Sequence, residues 1–215
     1  MRGQLIHDWN QMYAGRAIPP WESNSPDLSF LSFIRAYIRQ DMKILEVGSG
    51  LGHNALALAR SGFDVTASDV APHSVRRCAE LANREQVEMH CQVLDVLHPP
   101  KCFGKYDLIF DKGCWHSFFI EAERKAFAVK MSVLLVEGGL WINGTGCADN
   151  EDDPNDPNVS TYPRWTLGEI ISYTEECFEI LQVRKGVYGR TKGNNFLIWQ
   201  TAFKKRANKT SERTR

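Results

Sequence analysis

The chain has 215 residues, of which 43% are hydrophobic and 24% are charged, and 26 basic residues balance 26 acidic ones. This composition fits one globular domain with a full core. A formal net charge of zero argues against a nucleic-acid-binding protein, which needs a broad positive field. The N-terminus has no apolar signal segment, and no stretch approaches the roughly 20 apolar residues of a membrane span. We therefore expect a cytoplasmic protein without nucleic-acid or membrane partners.

The six cysteines are scattered along the chain, with no C-x-x-C pair and no histidine at a ligand-like spacing. In an intracellular protein this pattern is typical of reduced, mostly buried thiols. The four-ligand cluster of a structural zinc site is missing, so no metal is expected.

Short apolar runs alternate with helical patterns through the first two thirds of the chain. A helix predicted over 27–39 leads into the first strand. The predicted strands are 43–47, 64–69, 87–93, 106–110 and 140–143. The predicted helices between them are 54–60, 72–84 and 122–135, the last one stopped by Gly138-Gly139. Such alternation predicts right-handed β-α-β units and a doubly wound, mostly parallel sheet.

The end of the chain follows another pattern. Residues 166–176 predict a helix, with Thr166 as its N-cap and Glu169 completing a capping box. Two strand-like runs, 178–187 and 195–203, are too close together for a crossover helix and must pair antiparallel. The predicted fold is therefore an α/β, Rossmann-like sheet of seven strands that ends in an antiparallel hairpin. We expect one domain over 1–204 and a disordered basic tail over 205–215.

The turn Gly48-Ser49-Gly50-Leu51-Gly52 joins the first strand to a helix. Glycines let a backbone pass close to a ligand, although a structural tight turn would look the same. Two acidic residues favour a ligand site: Glu46 precedes the first glycine, and Asp69 closes the second strand, where it can accept ribose hydroxyls. A dinucleotide site would need a third glycine at position 53, where this chain has His53.

The run Glu46–Gly52 resembles the E/D-x-G-x-G-x-G motif of class I S-adenosylmethionine (SAM)-dependent methyltransferases. This resemblance implies SAM as the cofactor, with Glu46 holding the methionine end through water. It further implies that Asp95 hydrogen-bonds the adenine amino group, although a loop-capping role is the alternative for this residue. The cofactor-binding residues that the resemblance implies in this part of the chain are Glu46, Gly48, Gly50, Gly52, Asp69, Val70, Leu94, Asp95 and Val96.

The run Phe110–His116 follows the fourth strand and resembles the region that lines the methyl-transfer cleft of small-molecule methyltransferases. We expect Asp111 to contact the cofactor and to act in catalysis. His116 is a candidate to take a proton from the nucleophile, although a surface or core histidine is the alternative. A similar Asp-Lys-Gly run also occurs in some protein lysine methyltransferases.

The N-terminal segment carries several aromatic residues and prolines: Trp9, Tyr13, Gly15, Pro19-Pro20-Trp21-Glu22 and Pro26-Asp27. It resembles the W-x-x-x-Y…P-W-[ED]…P segment of thiopurine methyltransferase-like and related thiol, halide and tellurite methyltransferases. The resemblance implies a lid over about residues 1–27 that folds over SAM, with Trp9 and Trp21 contacting the cofactor. An amphipathic helix whose aromatic residues pack on the core is the alternative.

These features predict an enzyme that transfers the methyl group of SAM to a small molecule, at a thiol or another soft nucleophile, by in-line displacement. The alternative is a protein lysine methyltransferase, favoured by Asp111-Lys112-Gly113 and by the acidic loop 149–158. A SAM-binding protein without catalysis ranks below both. A nicotinamide oxidoreductase ranks lowest, because the third glycine and a Tyr-x-x-x-Lys pair are missing.

Overall fold

The computed structural model describes residues 2–15, 17–19, 21–149, 163–188 and 196–207. Seven strands form one sheet: β1 Lys43–Val47, β2 Asp64–Asp69, β3 His90–Val93, β4 Tyr106–Lys112, β5 Leu135–Gly146, β6 Phe178–Tyr188 and β7 Phe196–Lys205. Their order is β3-β2-β1-β4-β5-β7-β6. The first five strands pair in parallel, and β7 pairs antiparallel with both β5 and β6. The predicted fold class is confirmed.

Helices cover both faces of the sheet. They are α1 Arg2–Ala14, α2 Leu28–Arg35, α3 His53–Ala59, α4 Pro72–Arg84, α5 Glu121–Leu134 and α6 Leu167–Thr174, with a 3-10 turn over Trp115–Ser117. Local signals set several of their ends. Pro72 begins α4, and Asp27 caps α2 by accepting a hydrogen bond from the Phe30 amide at 3.0 Å. The predicted capping box of Thr166 and Glu169 is present at the start of α6.

Some predicted boundaries differ from the structure. The largest difference is at Gly138-Gly139, which lies inside β5 instead of ending α5. Tyr106 pairs with Leu135 while Leu108 pairs with Leu140, so the residues between them bulge out of the ladder. Gly138 has a φ of +71°, which suits such a bulge. Smaller differences are that α2 ends four residues early, β3 begins three residues late and β7 extends to Lys205.

Two hydrophobic cores, one on each face, hold the strands in place. Trp115, Trp141 and Trp165 lie fully buried in the core beneath α5 and α6, with the Trp115 and Trp165 ring centroids 4.5 Å apart. Phe30 and Phe110 lie in the opposite core, beneath α2 and α3. Because both cores are well filled, the carboxyl ends of β1, β2 and β4 are held at a common edge.

The first helix lies over that edge. Helix α1 contacts α4, where the Asn10 Oδ1 atom accepts a hydrogen bond from the His73 amide at 2.9 Å. This contact satisfies an amide at the start of α4 that has no partner within the helix. The N-terminal segment is therefore docked on the domain.

Two predicted segments lie outside the described residues, namely most of the acidic loop 149–158 and residues 208–215 of the basic tail. Within the described part of the chain, no helix has the length and apolar character needed to cross a membrane. All six cysteines are free thiols.

Candidate functional site

A cavity of about 160 Å³ lies at the carboxyl ends of the parallel strands, beneath α1 and the segment that follows it. The structure brings together most of the predicted site residues there. Those that line the cavity are Trp9, Trp21, Glu46, Gly48, Asp69, Val70, Leu94, Asp95, Val96 and His116. Gly50, Gly52 and Asp111 do not line it.

The glycine loop between β1 and α3 needs its glycines for contacts with the protein itself. Gly50 has a φ of +53°, and a Cβ atom there would lie 1.7 Å from the Glu22 Oε1 atom. Gly52 has a φ of +77°, and a Cβ atom there would lie 2.2 Å from the Cys78 Sγ atom. Another residue at either position would strain the backbone and displace the neighbouring side chain. The glycines, which were predicted to let a ligand approach the backbone of the loop, therefore also let the side chains of Glu22 and Cys78 approach it.

Glu46 lies near the end of β1 with only 3% of its surface exposed. Its Oε2 atom accepts a hydrogen bond from the Ala55 amide at 3.0 Å, at the start of α3. Burial raises the pKa of Glu46 to about 8, and the hydrogen bonds offset this only in part. A cationic group nearby would stabilise its charged form.

Asp69 ties the end of β2 to the glycine loop. Its Oδ2 atom accepts from the Gly50 amide and its Oδ1 atom from the Ala71 amide, both at 2.9 Å. Burial raises the pKa of this carboxyl. Each carboxylate oxygen has a second lone pair, so Asp69 can still accept hydrogen bonds from a ligand in the cavity.

Asp95 follows β3 and contacts Arg2 at the start of α1. It accepts hydrogen bonds from the Leu97 amide at 3.1 Å and pairs with the His98 ring at 2.9 Å and with the Arg2 guanidinium. Burial raises its pKa, but the hydrogen bond with His98 and the charge of Arg2 outweigh this and hold the pKa below its usual value. The Arg2 guanidinium also lies 5.3 Å over the Phe118 ring. Arg2 was missed in the sequence, because no local pattern connects residues 93 positions apart.

Asp111 does not face the cavity as its predicted cofactor-binding and catalytic roles require. It is fully buried, and its carboxylate accepts hydrogen bonds from Trp141 Nε1 at 2.8 Å, the Trp115 amide at 3.0 Å and Asn143 Nδ2 at 3.0 Å. Burial raises its pKa to about 6, against the effect of these bonds. The arrangement holds the 3-10 turn to β5, which is a structural function.

His116 lies in that 3-10 turn and lines the cavity, as predicted. Its Nδ1 atom accepts a hydrogen bond from the Gly146 amide at 2.9 Å. The accepting nitrogen carries no proton, so the proton of the neutral ring is on Nε2. In this form Nε2–H is a hydrogen-bond donor, and the role of His116 as a base stays a prediction.

The lid segment is held to the glycine loop by a chain of hydrogen bonds. Trp21 Nε1 donates to the Tyr13 hydroxyl at 3.0 Å, and this hydroxyl donates to Glu22 Oε1. The same oxygen accepts from the Leu51 amide at 3.1 Å. Burial raises the pKa of Glu22. Glu22 was not among the predicted site residues, although the [ED] position of the N-terminal motif marks it.

Lys112 is a second cavity residue that the sequence prediction omitted. Its Nζ atom lies 2.7 Å from Asp27 Oδ2, and both side chains are nearly buried. The ion pair joins the end of β4 to the N-terminus of α2.

The polar groups of the cavity fit a polar ligand. The Ser49 hydroxyl is buried without a hydrogen-bond partner, and Ser49 lines the cavity beside Gly48. Buried carboxylates of Glu46 and Asp69 flank the same loop. A polar ligand with positive charge and hydroxyl groups would satisfy both. Within the described residues, no group of three or more His, Cys, Asp or Glu is placed to hold a metal ion.

Part of the chain is similar to a known family and to two curated relatives. Residues 44–139 match the family model described as "Methyltransferase domain". The chain is 38% identical over 68 residues to hemagglutinin 1 of Eikenella corrodens, and 25% identical over 122 residues to the eEF1A lysine and N-terminal methyltransferase homolog of Drosophila melanogaster. These alignments cover 32% and 56% of this chain but only 22% and 18% of the two relatives.

Solved structures share the whole fold. One has a TM-score of 0.80 at 19% identity, and the alignment covers 96% of this chain and 94% of the other. Its description is the conversion of a disulfide bond into a thioacetal group during echinomycin biosynthesis. Another, 1,6-didemethyltoxoflavin-N1-methyltransferase of Burkholderia thailandensis with bound S-adenosylhomocysteine, has a TM-score of 0.73 at 19% identity, covering 96% and 89%. Residues 44–139 of the chain thus match a methyltransferase domain, and the chain as a whole shares the fold of these solved structures.

Proposed function

We propose that the protein transfers the methyl group of SAM to a small-molecule acceptor, at a thiol or another soft nucleophile, by in-line displacement. The narrow, lid-covered cavity carries this proposal. Its 160 Å³ falls below the roughly 300–1,000 Å³ of typical ligand pockets, so the segment over it has to open to admit the cofactor and an acceptor. A small acceptor can be enclosed there after a modest opening, whereas a protein substrate would have to displace the lid.

The predicted catalytic residues support a nucleophile that needs no base. Asp111 lies outside the cavity lining, and the His116 Nε2 atom carries a proton. SAM supplies a methyl group that its sulfonium already activates. The chain then has to align the acceptor, exclude water and stabilise the negative charge of the acceptor. The aromatic lid can exclude water, and the His116 N–H can stabilise the charge. A thiolate or a heteroatom lone pair fits this arrangement.

The pH dependence of turnover tests this proposal. Purified protein is assayed with SAM and a series of aromatic thiols that differ in their own thiol pKa, with the methylated product measured by mass spectrometry. If the thiolate attacks unaided, the rising part of the kcat/KM profile moves with the pKa of each thiol. A rising part that stays at one pH for every acceptor would indicate a base on the enzyme and contradict the proposal.

A protein lysine methyltransferase is the second candidate. The similarity to the Drosophila methyltransferase homolog and the run Asp111-Lys112-Gly113 favour it. In this structure, however, Lys112 is paired with Asp27 and Asp111 is enclosed. Methylation of purified proteins, with no turnover of small thiols, halides or heteroaromatic compounds, would establish this candidate in place of the first.

The nearer family resemblance, the cellular location and the domain limits stay predictions from the sequence. The resemblance of the N-terminal segment to thiopurine methyltransferase-like enzymes rests on its motif, with Trp9 and Trp21 at the cavity as support. The cytoplasmic location and the domain limits of 1–204 also rest on the sequence.

A further inference from the structure

Glu22 reaches the cavity from the lid and lies directly against the glycine loop. Its Oε1 atom accepts hydrogen bonds from the Leu51 amide and from the Tyr13 hydroxyl. The same oxygen fills the space that a Cβ atom of Gly50 would occupy. The carboxylate is therefore fixed in position by two donors and by the bare backbone of the loop.

The second oxygen of this carboxylate, Oε2, accepts neither of these hydrogen bonds. Among the residues that the structure describes, both hydrogen bonds to the Glu22 side chain go to Oε1. Glu22 is also largely buried, which raises its pKa. Glu22 lines the cavity, so a ligand group or water in the cavity can donate a hydrogen bond to Oε2.

The charges around the cavity indicate which kind of ligand group would do so. Three carboxylates line the cavity near the glycine loop, those of Glu22, Glu46 and Asp69. Two cations line the cavity: Arg2 pairs with Asp95, and Lys112 pairs with Asp27. The charge of Lys112 also lowers the pKa of Glu22 and of Glu46, but one shared cation does not balance three carboxylates. The glycine-loop end of the cavity therefore has an excess of negative charge, which a cationic ligand group would neutralise.

We propose that Glu22 Oε2 binds the α-ammonium group of the methionine part of SAM. The inference rests on the proposed use of SAM. An ammonium group offers three N–H donors for a carboxylate, whereas the sulfonium of SAM offers none. The lid therefore recognises the cofactor directly, and the hydrogen bonds from Tyr13 and Leu51 hold Glu22 at the right place for it.

The test compares two cofactor-derived ligands in a binding assay. S-adenosylhomocysteine keeps the ammonium group, whereas 5′-methylthioadenosine lacks the amino-acid part but keeps the adenosine and sulfur. Isothermal titration calorimetry gives the affinity of both ligands for the full chain and for Glu22→Gln, which keeps the size of the side chain and an acceptor for Leu51 and Tyr13. Asp8→Asn is the control, because it removes an exposed negative charge from the same lid segment.

We expect Glu22→Gln to weaken S-adenosylhomocysteine binding roughly 10- to 100-fold, as for a lost hydrogen bond between charged groups. Its affinity for 5′-methylthioadenosine should change less than about twofold, and Asp8→Asn should leave both affinities unchanged. An equal loss for both ligands would show that Glu22 acts only on the shape of the lid, and no loss for either would also overturn the inference. If the unaltered protein bound neither ligand, the proposed function itself would fail.

Discussion

The two halves of the sheet hold their buried carboxylates in different ways. In the half formed by β1, β2 and β3, Glu46 and Asp69 accept hydrogen bonds from backbone amides of nearby loops. In the half formed by β4, β5 and β7, the Asp111 carboxylate accepts from the side chains of Trp141 and Asn143 as well as from the Trp115 amide. The first two carboxylates line the cavity, whereas Asp111 does not.

Judged by its buried carboxylates, the first half is the ligand-binding half and the second is the structural half, although Lys112 and His116 of the second half also line the cavity. Backbone amides fix a carboxylate while leaving some of its lone pairs directed at the cavity. The donors of Trp141, Asn143 and Trp115 instead surround the Asp111 carboxylate and use most of its lone pairs. We therefore expect changes in the first half to alter cofactor affinity, and changes around Asp111 to alter folding stability.

The largest effect is expected for Gly50→Ala. The new Cβ atom would lie 1.7 Å from Glu22 Oε1, and the φ of +53° costs a non-glycine residue roughly 1–2 kcal/mol. Displacement of Glu22 adds to this strain, so S-adenosylhomocysteine should bind roughly 100- to 1,000-fold more weakly, or about 3–4 kcal/mol, by calorimetry.

Gly168→Ala is the matched control for this change. Gly168 lies in the first turn of α6, where the nearest atom to a new Cβ would be 3.8 Å away. Alanine is favoured over glycine in a helix by up to about 1 kcal/mol, so this variant should be as stable as the original or slightly more so. Normal affinity in Gly50→Ala would show that the loop can move away from Glu22, against the packing described here.

The next largest effect is expected for Asp111→Asn, on folding and not on binding. The new amide N–H₂ would face at least one of the donors from Trp141, Asn143 and the Trp115 amide. A buried donor left unpaired in this way, together with a lost charged hydrogen bond, should lower the free energy of unfolding in urea by roughly 3 kcal/mol. S-adenosylhomocysteine affinity, measured where the variant is folded, should stay within about twofold.

Asp41→Asn provides the comparison, because Asp41 is an exposed residue with 78% of its side chain accessible. It should change stability by less than about 0.5 kcal/mol. If Asp111→Asn were fully stable but inactive, Asp111 would be a catalytic group after all, and the structural half would not be purely structural.

The same division explains how much the sequence could predict. The strands β1 and β2 and the helix α4 were predicted with the bounds that the structure shows, because each is coded by local periodicity. The start of β5 was not, because Gly138-Gly139 form a bulge only through pairing with β4. Site residues beside the glycine loop could be predicted in the same local way. The contact of Arg2 with Asp95 joins segments 93 residues apart, and no local pattern predicts it.

Proton uptake by Glu46 should give a smaller, pH-dependent effect on stability. Its pKa is raised to about 8 in the folded chain, above the value of 4.5 for an unperturbed glutamate, so the folded state holds more protons than the unfolded state between these values. Stability without cofactor should therefore fall as pH rises, by on the order of 2 kcal/mol between pH 6 and pH 8. Urea titrations across this range measure the slope.

Glu46→Gln should flatten that slope, because its amide has no proton to lose. Glu80→Gln removes an exposed carboxylate from α4 and should keep the original slope. The cofactor effect has the opposite sign: a cationic ligand favours charged Glu46, so S-adenosylhomocysteine should bind more tightly as pH rises toward 8. An unchanged slope in Glu46→Gln would mean that another group takes up the proton.

The smallest effect is expected for Thr166→Ala at the start of α6. This change removes the side-chain acceptor for the Glu169 amide, and loss of an N-cap costs about 1 kcal/mol of stability. Thr166→Ser keeps the acceptor and should change the free energy of unfolding by no more than a few tenths of a kcal/mol. Helix α6 packs on the structural half of the sheet through Ile170, which belongs to the core of Trp141 and Trp165. S-adenosylhomocysteine affinity should therefore be unchanged in both variants. A drop in affinity that follows the loss of the cap would show that the structural half transmits its stability to the cofactor site, and that the two halves are separate in hydrogen bonding but not in energy.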